Sequence, residues 1–235
     1  MLFPTRQRKM KIVLTPDWFL GKDVLIDIFS FIILFAFFIL CFNYNKLSKK
    51  KGFLFLGIGF LLVAIAQLAT ILTKLVLYYD TTLTQQIGQI IVTYNIVKSV
   101  DIFYYAGFFF HKFLTLIGLY IIYRIPKKRI ITEEFFLIAI FLAISALFSK
   151  DAYYLYHLVA FLLLVLIIKN YYFLYQKNKS ANTITLVSAF FLLAVSQLIF
   201  IFSKLSSMFV LANLIELVSY LILLVLIIRI IRSKS

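Results

Sequence analysis

The sequence predicts an all-α membrane protein, a bundle of seven transmembrane helices. Apolar residues make up 64% of the chain and charged residues only 14%, whereas a soluble domain needs about 25% charged residues to cover its surface. Seven apolar stretches approach or exceed the ~20 residues that cross a bilayer, and little sequence remains between them. We therefore expect a multi-pass protein of the cell membrane whose lipid contacts cover most of its surface.

The predicted spans are separated by short connections. They cover residues 24–44, 53–78, 100–123, 134–149, 152–174, 183–204 and 208–229, and the fourth is the shortest. The one long connection, 79–99, carries apolar residues at helical spacing, which predicts a surface helix or an extension of the third span. The chain thus divides into a basic N-terminal segment, 1–23, and a single membrane domain, 24–232.

The positive charges indicate the orientation of the bundle. Basic residues cluster after the first, third, fifth and seventh spans, around Lys49, Arg124, Lys177 and Arg229. Because Lys and Arg are retained on the cytoplasmic side, we expect the N-terminus outside and the C-terminus inside, although the basic residues of segment 1–23 oppose this orientation.

The same distribution indicates the partners of the chain. A net charge of +15 is typical of nucleic-acid binding, but here the charges lie in short runs between apolar spans. Such runs attract anionic lipid headgroups at the cytoplasmic face. We expect no nucleic-acid partner. Cys41 is the only cysteine, which excludes an intrachain disulfide and a thiolate metal cluster.

One apolar stretch occurs twice. FLLVAIAQLATILTKL at 60–75 recurs as FFLLAVSQLIFIFSKL at 190–205, with a glutamine and a lysine in register in both copies. This similarity predicts an internal duplication of the 3+1+3 type. The first repeat would cover about 24–123 and the second about 152–229, with 134–149 as a linker helix between them.

The duplication predicts a polar layer near the middle of the membrane. Aligning Arg124 with Arg229 places His111 opposite Glu216, each about ten residues from the outer end of its span. Ionisable and amide side chains at that depth are costly unless paired or hydrated, which makes each a functional candidate. The candidate ligand-binding residues of this layer are His111, Glu216, Gln67, Gln197, Asn213 and Lys112.

Two interpretations of this layer follow from its chemistry. Imidazole titrates near neutrality and a carboxylate partner tunes it, so His111 and Glu216 are suited to hold a polar ligand, a cation or a proton. Alternatively, they form a hydrogen-bonded pair that fixes helix register, as interhelical polar contacts often do. Lys112 points about 100° away from His111 and needs either a hydrated cavity or a carboxylate.

Other ionisable residues near the span ends receive simpler interpretations. Asp27 and His157 lie close enough to the outer interface to be hydrated, and Lys74 and Lys204 are expected to snorkel there. The sequence contains no zincin motif, phosphate-binding glycine loop or credible Ser/His/Asp set. We expect no enzymatic activity, no cofactor and no bound metal.

Short motifs carry a resemblance to known membrane modules. Gly21-Lys22-Asp23 enters the first span, and the third span runs from Tyr105-Ala106-Gly107 to Gly118-Leu119-Tyr120. In these motifs the chain is similar to prokaryotic membrane proteins that carry a seven-helix module alone. In span number, orientation and loop charge it resembles the seven-helix input modules that precede histidine kinases. The resemblance implies a sensor, receptor-like or scaffold module that acts through a separate protein partner or as a homo-oligomer.

Two other classes remain open. A small-solute or proton-coupled transporter of 3+1+3 architecture would use the polar layer as its site, although transporters usually have interrupted helices there and the prolines at 4, 16 and 126 lie outside every span. A structural subunit of a larger membrane complex is the third class.

Overall fold

The computed structural model describes residues 16–19, 21–49, 51–87, 90–127, 133–149 and 152–232, with the backbone alone for residues 76–104. Within these ranges the chain is helical and contains no strand. The α-helices are α1 Lys22–Ser48, α2 Lys51–Ile87, α3 Ile90–Arg124, α4 Glu133–Phe148, α5 Tyr154–Asn178, α6 Ala181–Phe200 and α7 Ser206–Arg232. Residues 1–15, which hold most of the predicted basic N-terminal segment, lie outside the described residues.

Six helices are long and apolar enough to cross a membrane, which confirms a multi-pass helical membrane protein. The exception is α4, whose 16 residues rise about 24 Å at 1.5 Å per residue, less than the ~30 Å hydrocarbon core. The fourth predicted span is therefore a shorter apolar helix. Within the long connection predicted at 79–99, the described residues are helical, because α2 continues to Ile87 and α3 begins at Ile90.

The long helices form a ring. Each of α1, α2, α3, α5, α6 and α7 packs against its neighbour in that order, and α7 closes the ring on α1. The short helix α4 packs outside the seam between α3 and α5. The first three helices and the last three thus form two halves that meet at two seams, α3 with α5 and α7 with α1.

The odd-numbered long helices all finish at one end of the ring. Asn170 of α5 donates a hydrogen bond to the carbonyl oxygen of Tyr123 near the end of α3, and Phe19 before α1 packs on Phe209 near the start of α7. We call the end at which α1, α3, α5 and α7 finish the basic end, because Lys46, Arg124, Lys177 and Arg229 lie there. The opposite end is called the far end.

The α1 and α5 helices end in the same way at the basic end. Lys49 and Lys179 adopt left-handed backbone conformations, with φ of 53° and 50°. Each donates its backbone N–H to a carbonyl oxygen four residues earlier, that of Asn45 or Tyr175. A left-handed residue at this position stops a helix and satisfies one of its terminal carbonyls.

Glycines bring α2 and α3 into close contact. A Cβ atom added at Gly118 would lie 2.7 Å from the carbonyl oxygen of Gly59, and one added at Gly59 would lie 2.6 Å from Ile122. No side chain fits between the two backbones there. Small residues allow this approach, which supplies van der Waals packing where lipid gives no hydrophobic driving force.

Aromatic rings fill the centre of the bundle towards the basic end. Phe60 of α2 and Phe190 of α6 stack across the ring of helices, with centroids 6.3 Å apart and an interplanar angle of 6°. Phe37 packs on Phe60 at 4.6 Å, and Tyr171 packs on Phe190 at 6.0 Å. All four side chains are buried. We call these residues the aromatic row.

The two copies of the repeated stretch differ at their far ends. The copy at 60–75 is helical throughout, whereas α6 ends at Phe200 and residues 201–205 form turns. The chain must reverse before α7 begins at Ser206. Backbone hydrogen bonds between residues three apart, such as Ser203 N–H to Phe200 O, stabilise this tight turn. Thr73 and Ser203 remain buried in both copies, but Lys204 is exposed on the turn while Lys74 lies on a helix.

Candidate functional site

A cavity of about 650 Å³ lies inside the bundle, between the aromatic row and the far end. All seven helices contribute lining residues, and polar side chains are interspersed with apolar ones. Among them are Asp27 of α1, Gln67 and Lys74 of α2, His157 of α5 and Glu216 of α7. Its volume lies within the range of about 300–1,000 Å³ that is common for small-molecule sites.

The six residues predicted for the polar layer all line this cavity: Gln67, His111, Lys112, Gln197, Asn213 and Glu216. Gln67 and Asn213 are almost fully buried, at 6% and 4% exposure, and the other four are half-buried. Asn213 donates its amide N–H to the carbonyl oxygen of Phe209 in its own helix. The six residues thus line one cavity and come from α2, α3, α6 and α7.

Tyr220 organises one side of the cavity. Its hydroxyl donates to Oε1 of Glu216 at 3.0 Å, and Nε2 of Gln67 donates to that hydroxyl oxygen at 3.4 Å. Glu216 and Tyr220 are four residues apart on α7, so they share a helix face. This chain of hydrogen bonds connects α7 to α2 and holds the Glu216 carboxylate, which lines the cavity.

Tyr156 organises the other side. Its ring lies 6.0 Å from the ring of His111 and 4.9 Å from the ring of His157. The ammonium group of Lys112 lies 5.9 Å from the centroid of the same ring. Three nitrogen-bearing side chains from α3 and α5 thus surround one aromatic ring.

Each histidine uses one nitrogen for a structural hydrogen bond. Nδ1 of His111 lies 3.1 Å from the carbonyl oxygen of Ala66, and Nδ1 of His157 lies 2.8 Å from Oε1 of Gln197. The Ala66 carbonyl only accepts, so Nδ1 of His111 carries the proton, and Nδ1 of His157 does so when the Gln197 amide presents its oxygen. In the neutral rings, Nε2 is then left as a hydrogen-bond acceptor.

The predicted pairing of His111 with Glu216 is not formed among the contacts of the described residues. His111 bonds to the α2 backbone and Glu216 bonds to Tyr220. Both side chains line the same cavity, but the structure directs them into the two different groups around Tyr156 and Tyr220. Alignment of α3 with α7 predicts that His111 and Glu216 lie at the same depth in the bundle, but it does not specify their hydrogen-bond partners.

Lys74 takes part in an ion network that the sequence interpretation missed. Its ammonium group lies 2.6 Å from Oδ2 of Asp27 and 3.0 Å from Oδ2 of Asp23. The expectation that Lys74 snorkels and Asp27 is hydrated was therefore wrong, because the two pair with each other inside the bundle. The four-residue spacing of Asp23 and Asp27, which places both on one face of α1, was the available signal.

His157 and the two tyrosines were also not predicted as site residues. His157 was interpreted as hydrated, but it contacts Gln197 and lines the cavity. Tyr156 and Tyr220 are 4% and 2% exposed. A tyrosine in an apolar span resembles any packing aromatic in sequence, and only the helix arrangement reveals that these two hydroxyl-bearing rings contact the ionisable groups.

The described residues contain no group of three or more His, Cys, Asp or Glu side chains placed to hold a metal ion. The cavity brings charged, amide and aromatic side chains together. No protein-family model, curated protein or solved structure matches the chain.

Proposed function

We propose that the protein is a receptor-like module of the cell membrane, which binds a small polar ligand inside the bundle and acts through a separate partner. The observation that carries this proposal is the cavity of about 650 Å³ lined by ionisable and amide side chains. A bundle that needed only mechanical stability would fill this space with apolar side chains, because buried polar groups are costly in a membrane.

The arrangement of the halves supports an internal duplication, which we include in the proposal. Helices α1 to α3 pack in the same order as α5 to α7. Phe60 and Phe190, which occupy equivalent positions in the repeated stretch, contact each other, as expected for residues close to a two-fold axis. Lys49 and Lys179, separated by the same interval, end their helices with the same backbone conformation.

The basic end is the proposed cytoplasmic face and output surface. Lys46, Lys177 and Arg229 lie there, and the positive-inside rule favours this face for the cytoplasm. The cavity would then face the outside, and α1, α3, α5 and α7 run from its walls to the basic end. A ligand that changes the spacing of these helices would change the surface presented to anionic lipid or to a protein partner.

Transport is the second candidate. The cavity receives residues from both halves, and the stacked Phe60 and Phe190 separate it from the basic end. Rocking of the halves about this contact would alternate access to the site. The long helices lack prolines within their spans, which favours the receptor-like function over transport.

The test is to identify what the cavity holds. Native mass spectrometry of the protein in nanodiscs should detect a bound nonprotein molecule. Ala160 lines the cavity and is 1% exposed, so Ala160→Phe should expel that molecule. Ala106→Phe is the matched control, because Ala106 is exposed. Gln197→Leu is a second variant that changes polarity with little change in volume.

Circular dichroism and gel filtration verify that each variant folds. Retention of the same molecule in both folded cavity variants would contradict the proposal. So would a wild-type protein that carries no molecule and is not stabilised thermally by any of a panel of acidic, basic, zwitterionic and neutral solutes. Uptake into proteoliposomes that Glu216→Gln abolishes would select transport over the receptor-like function.

A further inference from the structure

Lys112 is a half-buried cation that lines the cavity without a described counter-charge. Its ammonium group donates to the carbonyl oxygen of Ser149 at 3.3 Å and lies over the ring of Tyr156. Among the described side chains, the ion pairs within 4 Å are Lys74 with Asp23, Lys74 with Asp27 and Arg124 with Glu134. One neutral carbonyl and one ring leave most of the hydrogen-bonding capacity of an ammonium group available.

Glu216 is the opposite case on the other side of the same cavity. Its carboxylate accepts from the hydroxyl of Tyr220, and no described cationic side chain lies within 4 Å of it. Lys74 is the other lysine that lines the cavity, and it is already bound to two carboxylates. Glu216 therefore has one hydrogen bond and no charge partner in the part of the chain that the structure describes.

These two charges belong to different groups of side chains in the cavity. Lys112 of α3 lies with the histidines around Tyr156 of α5, and Glu216 of α7 lies with Tyr220 and Gln67. An isolated charge buried in a membrane bundle is costly, and the cost is removed when an opposite charge pairs with it. Lys112 and Glu216 present charges of opposite sign to one cavity, and the network of Asp23, Asp27 and Lys74 adds one net negative charge through Asp27, which also lines it. This arrangement is complementary to a ligand that carries both a cationic and an anionic group.

We propose that the ligand is a small zwitterion whose ammonium group pairs with Glu216 and whose anionic group pairs with Lys112. This inference rests on the proposed ligand-binding function and specifies its ligand. Two sources share this chemistry: a free α-amino acid, and the headgroup of an aminophospholipid such as phosphatidylethanolamine.

The experiment compares ligands that differ by one charge. Thermal stabilisation and equilibrium dialysis of the full chain are measured with alanine, leucine, phenylalanine and glutamine, with the corresponding carboxylic acids that lack the amine, and with the amines that lack the carboxylate. We expect at least one amino acid to bind, and both of its single-charge analogues to bind about thirtyfold more weakly or worse, since each loses a buried ion pair.

Charge-neutral variants assign each end of the ligand. Lys112→Met should abolish the advantage of the amino acid over the corresponding amine, and Glu216→Gln should abolish its advantage over the corresponding acid. Lys169→Met and Glu134→Gln are the matched controls, because both residues are exposed and outside the cavity. Equal loss of both preferences in each cavity variant would contradict the assigned orientation.

Nanodiscs distinguish the two sources. If the ligand is a lipid headgroup, the protein should retain phosphatidylethanolamine when it is exchanged into phosphatidylcholine nanodiscs, and Lys112→Met and Glu216→Gln should release it. If the ligand is a free amino acid, binding should be the same in both lipids. Binding of neither source overturns the zwitterion assignment, as does equal binding of a single-charge analogue. The receptor-like function survives that result if another molecule occupies the cavity and Ala160→Phe expels it.

Discussion

The ammonium group of Lys74 lies 2.6 Å from Oδ2 of Asp27, joining α2 to α1 beside the cavity. Asp23, one turn earlier on α1, completes the network at 3.0 Å and is fully buried. Two carboxylates thus share one ammonium group. Loss of the lysine would leave two like charges facing each other inside the membrane, whereas loss of one aspartate would leave a balanced pair.

We therefore expect Lys74→Met to lower the free energy of unfolding by about 3–5 kcal/mol, the usual cost of removing one partner from a buried ion pair. Asp27→Asn should cost less, because Asp23 still pairs with the lysine. Equilibrium unfolding in mixed detergent micelles measures both. Lys204→Met is the matched control from the repeated stretch, and its exposed side chain should make it nearly neutral. Equal stabilities of Lys74→Met and Lys204→Met would show that the network contributes nothing.

Gly118→Ala should destabilise the contact between α2 and α3. Its added Cβ would lie 2.7 Å from a backbone oxygen of Gly59, which cannot rotate away as a side chain can. Overpacking of this kind costs about 1–3 kcal/mol, measurable by the same unfolding experiment. Gly52→Ala is the control, because the nearest atom to its added Cβ lies 3.8 Å away. A stable Gly118→Ala variant would mean that the two helices can separate without loss.

Phe60→Ala should cost about 3–5 kcal/mol, the range for emptying a buried phenylalanine site. Phe190→Ala should cost a similar amount, and the double variant should cost less than the sum, because contacting residues couple. Thermal unfolding of the four proteins gives the coupling energy. Phe191→Ala, which removes a ring that is 56% exposed, is the control. Strict additivity of Phe60→Ala and Phe190→Ala would deny that their stacking contributes to stability.

The orientation can be tested by labelling introduced cysteines in intact cells. With Cys41→Ser as background, Lys177→Cys at the basic end should react with a membrane-impermeant maleimide only after the cells are opened. Ser207→Cys at the far end should react in intact cells. Both positions are exposed, so access depends on the side of the membrane. The reverse pattern would place the basic end outside, against the positive-inside rule.

The helical membrane architecture was predictable because hydropathy and loop charge are recorded along the chain itself. Spans such as 24–44 and 208–229 lie within helices α1 and α7. The length of α4 limited the prediction, since a short apolar helix is recognisable but its relation to the membrane depends on its neighbours. The end of α6 at Phe200 depends on a tight reversal that apolar residues such as Ile201 and Phe202 do not signal.

The common membrane depth of the cavity residues was predictable from the sequence, but their hydrogen-bond and ion-pair partners were not. His111 and Glu216 line one cavity as the alignment of spans indicated, because depth follows from residue count along a helix. Their partners depend on helix rotation, which places His111 on the Ala66 carbonyl. Lys74 was misinterpreted for the same reason: its distance from the span end suggested solvent, and only the rotation of α1 presents Asp23 and Asp27 to it.

The aromatic row also bears on proton leakage through the bundle. A cavity rich in charges and amides attracts water, and a continuous file of water through the bundle would conduct protons and dissipate the membrane potential. Phe37, Phe60, Phe190 and Tyr171 are buried in contact with one another between the cavity and the basic end. We expect their rings to interrupt such a file of water, which would allow a hydrated interior without proton leakage across the membrane.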